Sequence, residues 1–289
     1  MQQTELIRIT DKILYMLPED ETDRPILAAI SGVNRTLIVD AGNSSTHAEL
    51  FLKKLAKNQV TKIDLLVLTH WHWDHVFGMH RMNLPTIAHR ETAKKLEKMV
   101  GLDYSDEALD QRVKEGREIS FSAENIKKEF PTRRDITIVT PTVTFEQRIE
   151  VDLGGTSCLI EHVGGDHSPD SCVVFVKEEK VLFLGDCLYP DYYTGEWKYT
   201  SAKTLKLLDQ LQEYDAEIFV ISHRRNPLSK SEFHDEVRLF REICAISQKK
   251  KDNKRAIMEE LSHSLGRELK EDQLRLIDYF IHGLEAIQQ

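Results

Sequence analysis

Several stretches of this chain are apolar almost without a break over the length of one β-strand. They are RTLIVDAG (35–42), IDLLVLTH (63–70), SCVVFVKEEKVLFLGDCLY (171–189) and EIFVISHRR (217–225). Runs of this kind predict strands covered on both faces, because a half-exposed strand would alternate. The polar break Lys177–Lys180 between two such runs predicts a hairpin. LIRITDKILY (6–15) alternates loosely and predicts a pair of strands, and ITIVTPTVTF (136–145) and RIEVDLGGTSCLIEH (148–162) supply further strand regions.

Between the strands lie segments with helical spacing. In NSSTHAELFLKKLAKNQ (43–59), Ser44, Ser45 or Thr46 can cap a helix whose apolar face carries Leu50, Phe51 and Leu55. Residues 90–130 are charged and poor in β-branched residues, which predicts one to three inserted helices closed by Pro131. SAKTLKLLDQLQEY (201–214) places Leu205, Leu208 and Leu211 on one face. After Pro227 the strands are expected to stop, and 229–289 reads as helical. Phe233, Val237, Phe240 and Cys244 form one stripe there, and Leu274, Ile277, Ile281 and Leu284 another. The basic run KKKDNKR (249–255) between them reads as a solvated linker or helix face. The division expected is a domain over 1–245, with the 90–130 insertion, and a helical extension over 246–289. That extension would pack on the core or mediate a homodimer.

Composition narrows the class. The chain has 289 residues and a formal net charge of −9, which argues against a general nucleic-acid binder. No stretch of 18 apolar residues predicts a membrane span. The amino terminus lacks the pattern of a secretory leader. The four cysteines, Cys158, Cys172, Cys187 and Cys244, form no CxxC pair and no disulfide framework. A cytoplasmic setting is expected.

Chemistry concentrates in THWHWDH (69–75), directly after an apolar run. Imidazole is a common metal ligand, and carboxylate completes mixed sites. In extended chain His70 and His72 project to one side, whereas Asp74 and His75 need a turn to aim at a second point nearby. The cluster therefore suits two adjacent metals, each taking a pair of ligands. Further donors are sought at the ends of apolar strands: His167 in the Gly-rich turn HVGGDHSPDS, Asp186 after Gly185, and His223 in IFVISHRR. A carboxylate closing an apolar strand is costly to bury unless it is paired or on a metal. Taken singly, each of these residues reads equally as a turn residue, a helix cap or a satisfied histidine. The other seven histidines, His47, His80, His89, His162, His234, His263 and His282, match no motif.

THWHWDH, GDHSPDS, GDCLY and ISH, in this order, resemble the successive metal motifs of the metallo-β-lactamase superfamily, and LIVDAG resembles its early strand motif. The resemblance runs from about residue 10 to 240. It implies a four-layer αββα sandwich of two mixed β-sheets flanked by helices. It implies that His70, His72 and His167 hold one metal, that Asp74, His75 and His223 hold another, and that Asp186 bridges them. Asp40 takes a supporting role. Two positions depart from the family pattern: Asp166 precedes His167 and Ser222 precedes His223, where glycine is usual. Neither change removes a ligand.

The resemblance further implies a metal-dependent hydrolase using a metal-bridging hydroxide on a small ester, thioester or lactone, with Asp74 or Asp186 relaying a proton. The cofactors implied are two divalent ions, zinc foremost, with Mn²⁺ or Fe²⁺ also compatible. His72 stands where di-iron relatives tend to carry Glu, and Asp186 points away from two-zinc β-lactamases. The alternatives are a phosphodiesterase of the same fold and a non-catalytic metal-binding or sensing protein. Tyr189 follows Asp186 at the D-x-x-Y spacing of lactone-hydrolysing relatives, so it is either a catalytic helper or packing under a loop. Tyr192 and Tyr193 could equally line the pocket, Arg224 and Arg225 could meet an anionic substrate, and Trp71 and Trp73 are core or pocket wall. The pocket walls are expected from 77–135 and 188–200. Glyoxalase II-like enzymes also carry a helical C-terminal region that helps bind a thioester.

Overall fold

The computed structural model describes residues 5–132 and 136–287. Residues 288–289 of the predicted helical tail lie outside that range. Two mixed sheets form its centre. The first runs β1 (Leu6–Thr10), β2 (Ile13–Met16), β3 (Leu27–Ser31), β4 (Thr36–Val39), β5 (Leu65–Val67), β6 (Thr86–His89) and β7 (Val143–Phe145), in that spatial order. Its first four strands are antiparallel, and β4 to β7 are parallel. The second contains β8 (Arg148–Asp152), β9 (Ser157–His162), β10 (Cys172–Val176), β11 (Val181–Gly185), β12 (Ile218–Ile221) and β13 (Leu228–Ser229), ordered β13-β12-β11-β10-β9-β8. Only β11 and β12 pair in parallel there.

Helices cover both outer faces. Over the first sheet lie α1 (Ser45–Lys57), α2 (Trp73–Val76), α3 (Met79–Met82), α4 (Arg90–Met99), α5 (Asp106–Lys114) and α6 (Ser120–Glu129). Over the second lie α7 (Ser201–Leu211), α8 (Lys230–Lys250), α9 (Lys254–Leu265) and α10 (Glu271–Ile287). The result is a four-layer αββα sandwich.

Strand alternation sorts the apolar residues into three cores. Ile13, Ile30, Val39, Val174, Phe183 and Val220 point between the sheets. Leu14, Ile38 and Leu66 point out toward Phe51 and Leu55 of α1. Leu182, Leu184 and Phe219 point out toward Leu208, Phe233 and Phe240. Both faces of the central strands are dry, which is why their sequences read as unbroken apolar runs. Phe219 stacks on Phe233 with ring centroids 3.9 Å apart.

Two local expectations change. A short strand, β13, follows Pro227, because Leu228 and Ser229 pair with the edge of β12. In ITIVTPTVTF only Val143–Phe145 is strand. α8 runs unbroken across the 245/246 boundary, and α9 and α10 add Ile257, Leu261, Ile277 and Phe280 to the core that holds α7 and the second sheet. The 90–130 stretch carries α4, α5 and α6. All four cysteines are free and buried.

Candidate metal centre

The seven residues singled out in the sequence come together where strand ends of the two sheets meet. Strand β5 stops at Val67, three residues before His70, so strand alternation does not place His70 and His72. A turn does: His72 immediately precedes the short helix α2, which carries Asp74 and His75. The rings of His70 and His72 still lie 4.5 Å apart. His167 enters from the turn after β9, Asp186 follows β11 directly, and His223 follows β12. His70, His72 and His167 form one donor group, and Asp74, His75, Asp186 and His223 a second. Within each group the ligand atoms lie within 4.8 Å of one another.

Asp186 stands between the groups. Its Oδ2 is 3.3 Å from His223 Nε2, 3.4 Å from His75 Nε2, 3.5 Å from His167 Nε2 and 4.0 Å from His70 Nε2. Gly185 permits this approach. Its φ is +55°, and a Cβ there would sit 2.8 Å from Thr69 Cβ. A side chain at this position would push the carboxylate off its strand end.

Hydrogen bonds behind the donors assign the tautomers. Asp40 accepts from the Thr69 backbone N–H at 2.7 Å and from the Thr69 hydroxyl at 2.8 Å. With its proton so engaged, Thr69 Oγ1 accepts from His70 Nδ1 at 3.0 Å. Asp40 also accepts from His75 Nδ1 at 2.8 Å. His167 Nδ1 donates to the Pro190 carbonyl at 3.3 Å. Each assignment leaves Nε2 as the inward atom. His70 Nε2 and His167 Nε2 then face each other at 3.2 Å as two lone pairs, an arrangement that calls for a cation between them. His75 Nε2 and Asp186 Oδ1 are buried and make no hydrogen bond among the described residues. Imidazole and carboxylate donors with oriented outer partners fit a divalent metal.

Electrostatics agree with a centre built for positive charge. Burial and the neighbouring imidazoles push His70 and His72 well below the usual histidine range, and burial lowers His167. For His75 burial acts downward, yet the Asp74, Asp40 and Asp186 carboxylates outweigh it and hold the ring well above that range. His223 is likewise raised: burial opposes this, but Asp186, Asp74 and Asp23 prevail. Burial would raise Asp186 and Asp74, but His223 and His75 keep both well below the carboxylate range. Protons on His75 and His223 thus supply the charge that a metal would replace.

The centre forms the floor of a cavity of about 270 Å³. Tyr189, Tyr192, Tyr193 and Trp197 form one wall, and Ile119, Phe121 and Ser122 at the start of α6 form another. The walls meet where Ser122 Oγ and Tyr193 OH lie 3.1 Å apart, beside Glu118. Trp73 lines the cavity and packs on Phe77, whereas Trp71 lies against Tyr193 with Lys95 over its ring at 4.8 Å. Arg224 and Arg225 do not line the cavity. Arg224 pairs with Glu236 and hydrogen-bonds Tyr189, and the Arg225 carbonyl accepts from Tyr15.

Two acids of the β2–β3 connection, Asp20 and Asp23, complete the rim. Asp23 Oδ1 lies 3.4 Å from His223 Nδ1. Burial and the Asp74 charge raise Asp23 to about 7. Nothing in the local sequence marks either residue; the tertiary bond from Ile26 N–H to Ser222 O, 2.7 Å, brings that connection beside His223. Asp166, noted as a departure, accepts from the Thr200 backbone at 2.9 Å and from the Thr200 hydroxyl, so it anchors the start of α7.

Fold and site together define an αββα sandwich with a histidine–aspartate metal-type centre at the sheet ends. The sequence profile of the metallo-beta-lactamase superfamily matches residues 27–223, and the chain belongs to that superfamily. Among solved structures it is similar to a metallo-beta-lactamase from Pontibacter korlensis, with TM-score 0.57 and 20% identity over 82% of this chain and 98% of that one. It is also similar to the stereoselective inverting sec-alkylsulfatase Pisa1 from Pseudomonas sp., with TM-score 0.67 and 14% identity over 99% of this chain and 50% of that one. The chain thus spans half the length of that sulfatase. The DIM-1 metallo-beta-lactamase matches with TM-score 0.53 and 16% identity, over 82% of this chain and 96% of that one. Identities this low speak to the fold alone. No curated protein matches the chain in sequence. Among the described residues no helix is long and apolar enough to cross a membrane.

Proposed function

We propose that the protein is a dinuclear metal-dependent hydrolase of a small ester, thioester or lactone. The observation that carries this reading is the pairing of two donor groups around Asp186 on the floor of a small, aromatic-walled cavity. His70, His72 and His167 would hold one ion, Asp74, His75 and His223 the other, and Asp186 both. A divalent pair, zinc foremost, supplies Lewis acidity and an acidified water when bound.

The chain's own residues do the rest. Asp40 holds His70, through Thr69, and His75 with their Nε2 atoms inward. Asp74 or Asp186, both buried, would accept a proton from the attacking water and pass it to the leaving group. The Tyr189 ring lies 6.1 Å from both His167 and His223, and burial raises its phenol, so it stays protonated and can donate to an oxygen that gains charge. The aromatic walls limit water around the reacting bond.

Metal quantification of the purified protein, with a panel of esters, thioesters, lactones, phosphodiesters, a sulfate ester and a cephalosporin, tests the reading. His72→Ala should lose metal and hydrolysis together; full activity in a verified metal-free protein would sink it. The sulfate ester belongs in the panel because of the structural likeness to the alkylsulfatase. Preferred turnover of the phosphodiester would move the assignment to that class.

A further inference from the structure

The cavity is built for one kind of substrate charge. Beyond the donor groups, its ionisable lining is acidic: Asp20 and Asp23, with no lysine or arginine among the described residues. Neither arginine that follows His223 lines the cavity: Arg224 pairs with Glu236 and reaches only the back of the wall at Tyr189, and Arg225 is exposed. Asp20 has no basic partner within ion-pair distance among the described residues, although Glu19 next to it pairs with Arg24 at 3.1 Å. An acidic rim on an apolar cavity raises the local concentration of cations and repels anions.

The walls add a second selection. Tyr192 and Trp197 pack with ring centroids 4.5 Å apart, and the Tyr192 ring stands edge-on to His167 at 5.5 Å. Trp197 is 38% exposed and Phe121 46% exposed, so large aromatic surfaces stay uncovered where a ligand would meet them. Aromatic faces carry negative electrostatic potential and attract ammonium groups. A purely apolar ligand would leave the acidic rim unused, and an anionic one would meet both rim and ring faces unfavourably.

We infer that the cavity selects a compact ester whose non-reacting end is an alkylammonium group. This rests on the hydrolase reading for the reacting end. The ester carbonyl would sit over the donor floor, and the ammonium end between Tyr192, Trp197 and the acidic rim.

Three acetate esters separate the possibilities with the metal-loaded full chain: those of choline, its uncharged isostere 3,3-dimethylbutan-1-ol, and the anionic 3-hydroxypropanoate. The choline ester should exceed its uncharged isostere in kcat/KM by roughly three- to thirtyfold, and the anionic ester should be slowest. In Trp197→Leu and in Asp20→Asn the ratio of cationic to neutral turnover should fall toward one. A neutral or anionic ester turned over as fast as the choline ester overturns the inference while leaving the hydrolase reading intact.

Binding supplies an arm free of catalysis. Choline should quench tryptophan fluorescence at lower concentration than 3,3-dimethylbutan-1-ol or 3-hydroxypropanoate. Choline preference without hydrolysis of any ester keeps the selection and removes the hydrolase reading. No preference for choline in this titration overturns the selection.

Discussion

The floor and the walls of the cavity are built in different ways. The floor is a set of short turns at strand ends: the turn and short helix after β5, the turn after β9, and the residues that follow β11 and β12. It is tied from behind through one carboxylate: Asp40 reaches His75 directly and His70 through Thr69, so a single side chain orients donors of both groups. The walls come from distant parts of the chain and depend on packing. The 189–197 segment is braced by α10, where His282 Nδ1 donates to Trp197 O at 2.9 Å and Tyr199 N–H donates to Tyr279 O at 3.0 Å. Gly283 lets helix and loop touch, since a Cβ there would fall 1.9 Å from Tyr199 O. Chemistry is thus held by a carboxylate that follows the neighbouring strand β4, and the space for substrate by a helix at the far end of the chain.

Substitutions can set floor against wall. Asp186→Ala removes the carboxylate shared by the two donor groups, and kcat/KM should fall by at least about a thousandfold with loss of bound metal. Retention of two metals per chain and of activity would show that Asp186 does not bridge. Asp40→Ala should weaken metal binding about 10- to 100-fold and cost about 3 kcal/mol of stability, because three buried hydrogen bonds to a charged group are lost. A chelator competition titration reads the first effect and denaturant unfolding the second. If only one of two ions weakens, Asp40 supports one group and not both.

Gly283→Val addresses the walls. It should raise KM about tenfold through the displaced 197–199 segment, while metal content holds. Loss of metal instead would mean that α10 supports the floor as well.

The smallest effect is a pH profile of the metal-free protein. His47, His70, His72 and His167 are lowered from the free value of 6.5, so stability is lost as pH falls below 6.5 and their unfolded counterparts take up protons. His75 and His223 are raised, so their contribution is complete below 6.5 and is lost as pH rises through their folded values. Stability should therefore peak close to pH 6.5, and bound metal should remove the alkaline decline. A metal-free protein whose melting temperature keeps rising above that pH would contradict the assigned protons.

The two regions also differed in how far they could be read from the chain. All seven residues of the two donor groups were visible as candidates: His70, His72, Asp74 and His75 as a cluster, and His167, Asp186 and His223 through the order of the family motifs. Asp40 was visible as a motif, although its grip on His70 by way of Thr69 was not. The wall segments 77–135 and 188–200 were visible as regions. Phe121, Ser122 and Trp197 within them were not, since aromatic and hydroxyl residues serve packing and pockets alike. Asp20 and Asp23 carried no signal at all.

The sequence by itself determined the buried strands, by apolar run length, and the His70–His75 cluster, by residue type and spacing. The sandwich and the other three candidate donors were legible through the order of the family motifs. Tertiary structure alone decided that Arg224 pairs with Glu236 behind Tyr189, that an acidic connection crosses to His223, and that the last helix braces the aromatic wall. Those outcomes depend on which surfaces meet in the folded chain, and no local pattern of the chain encodes such a meeting.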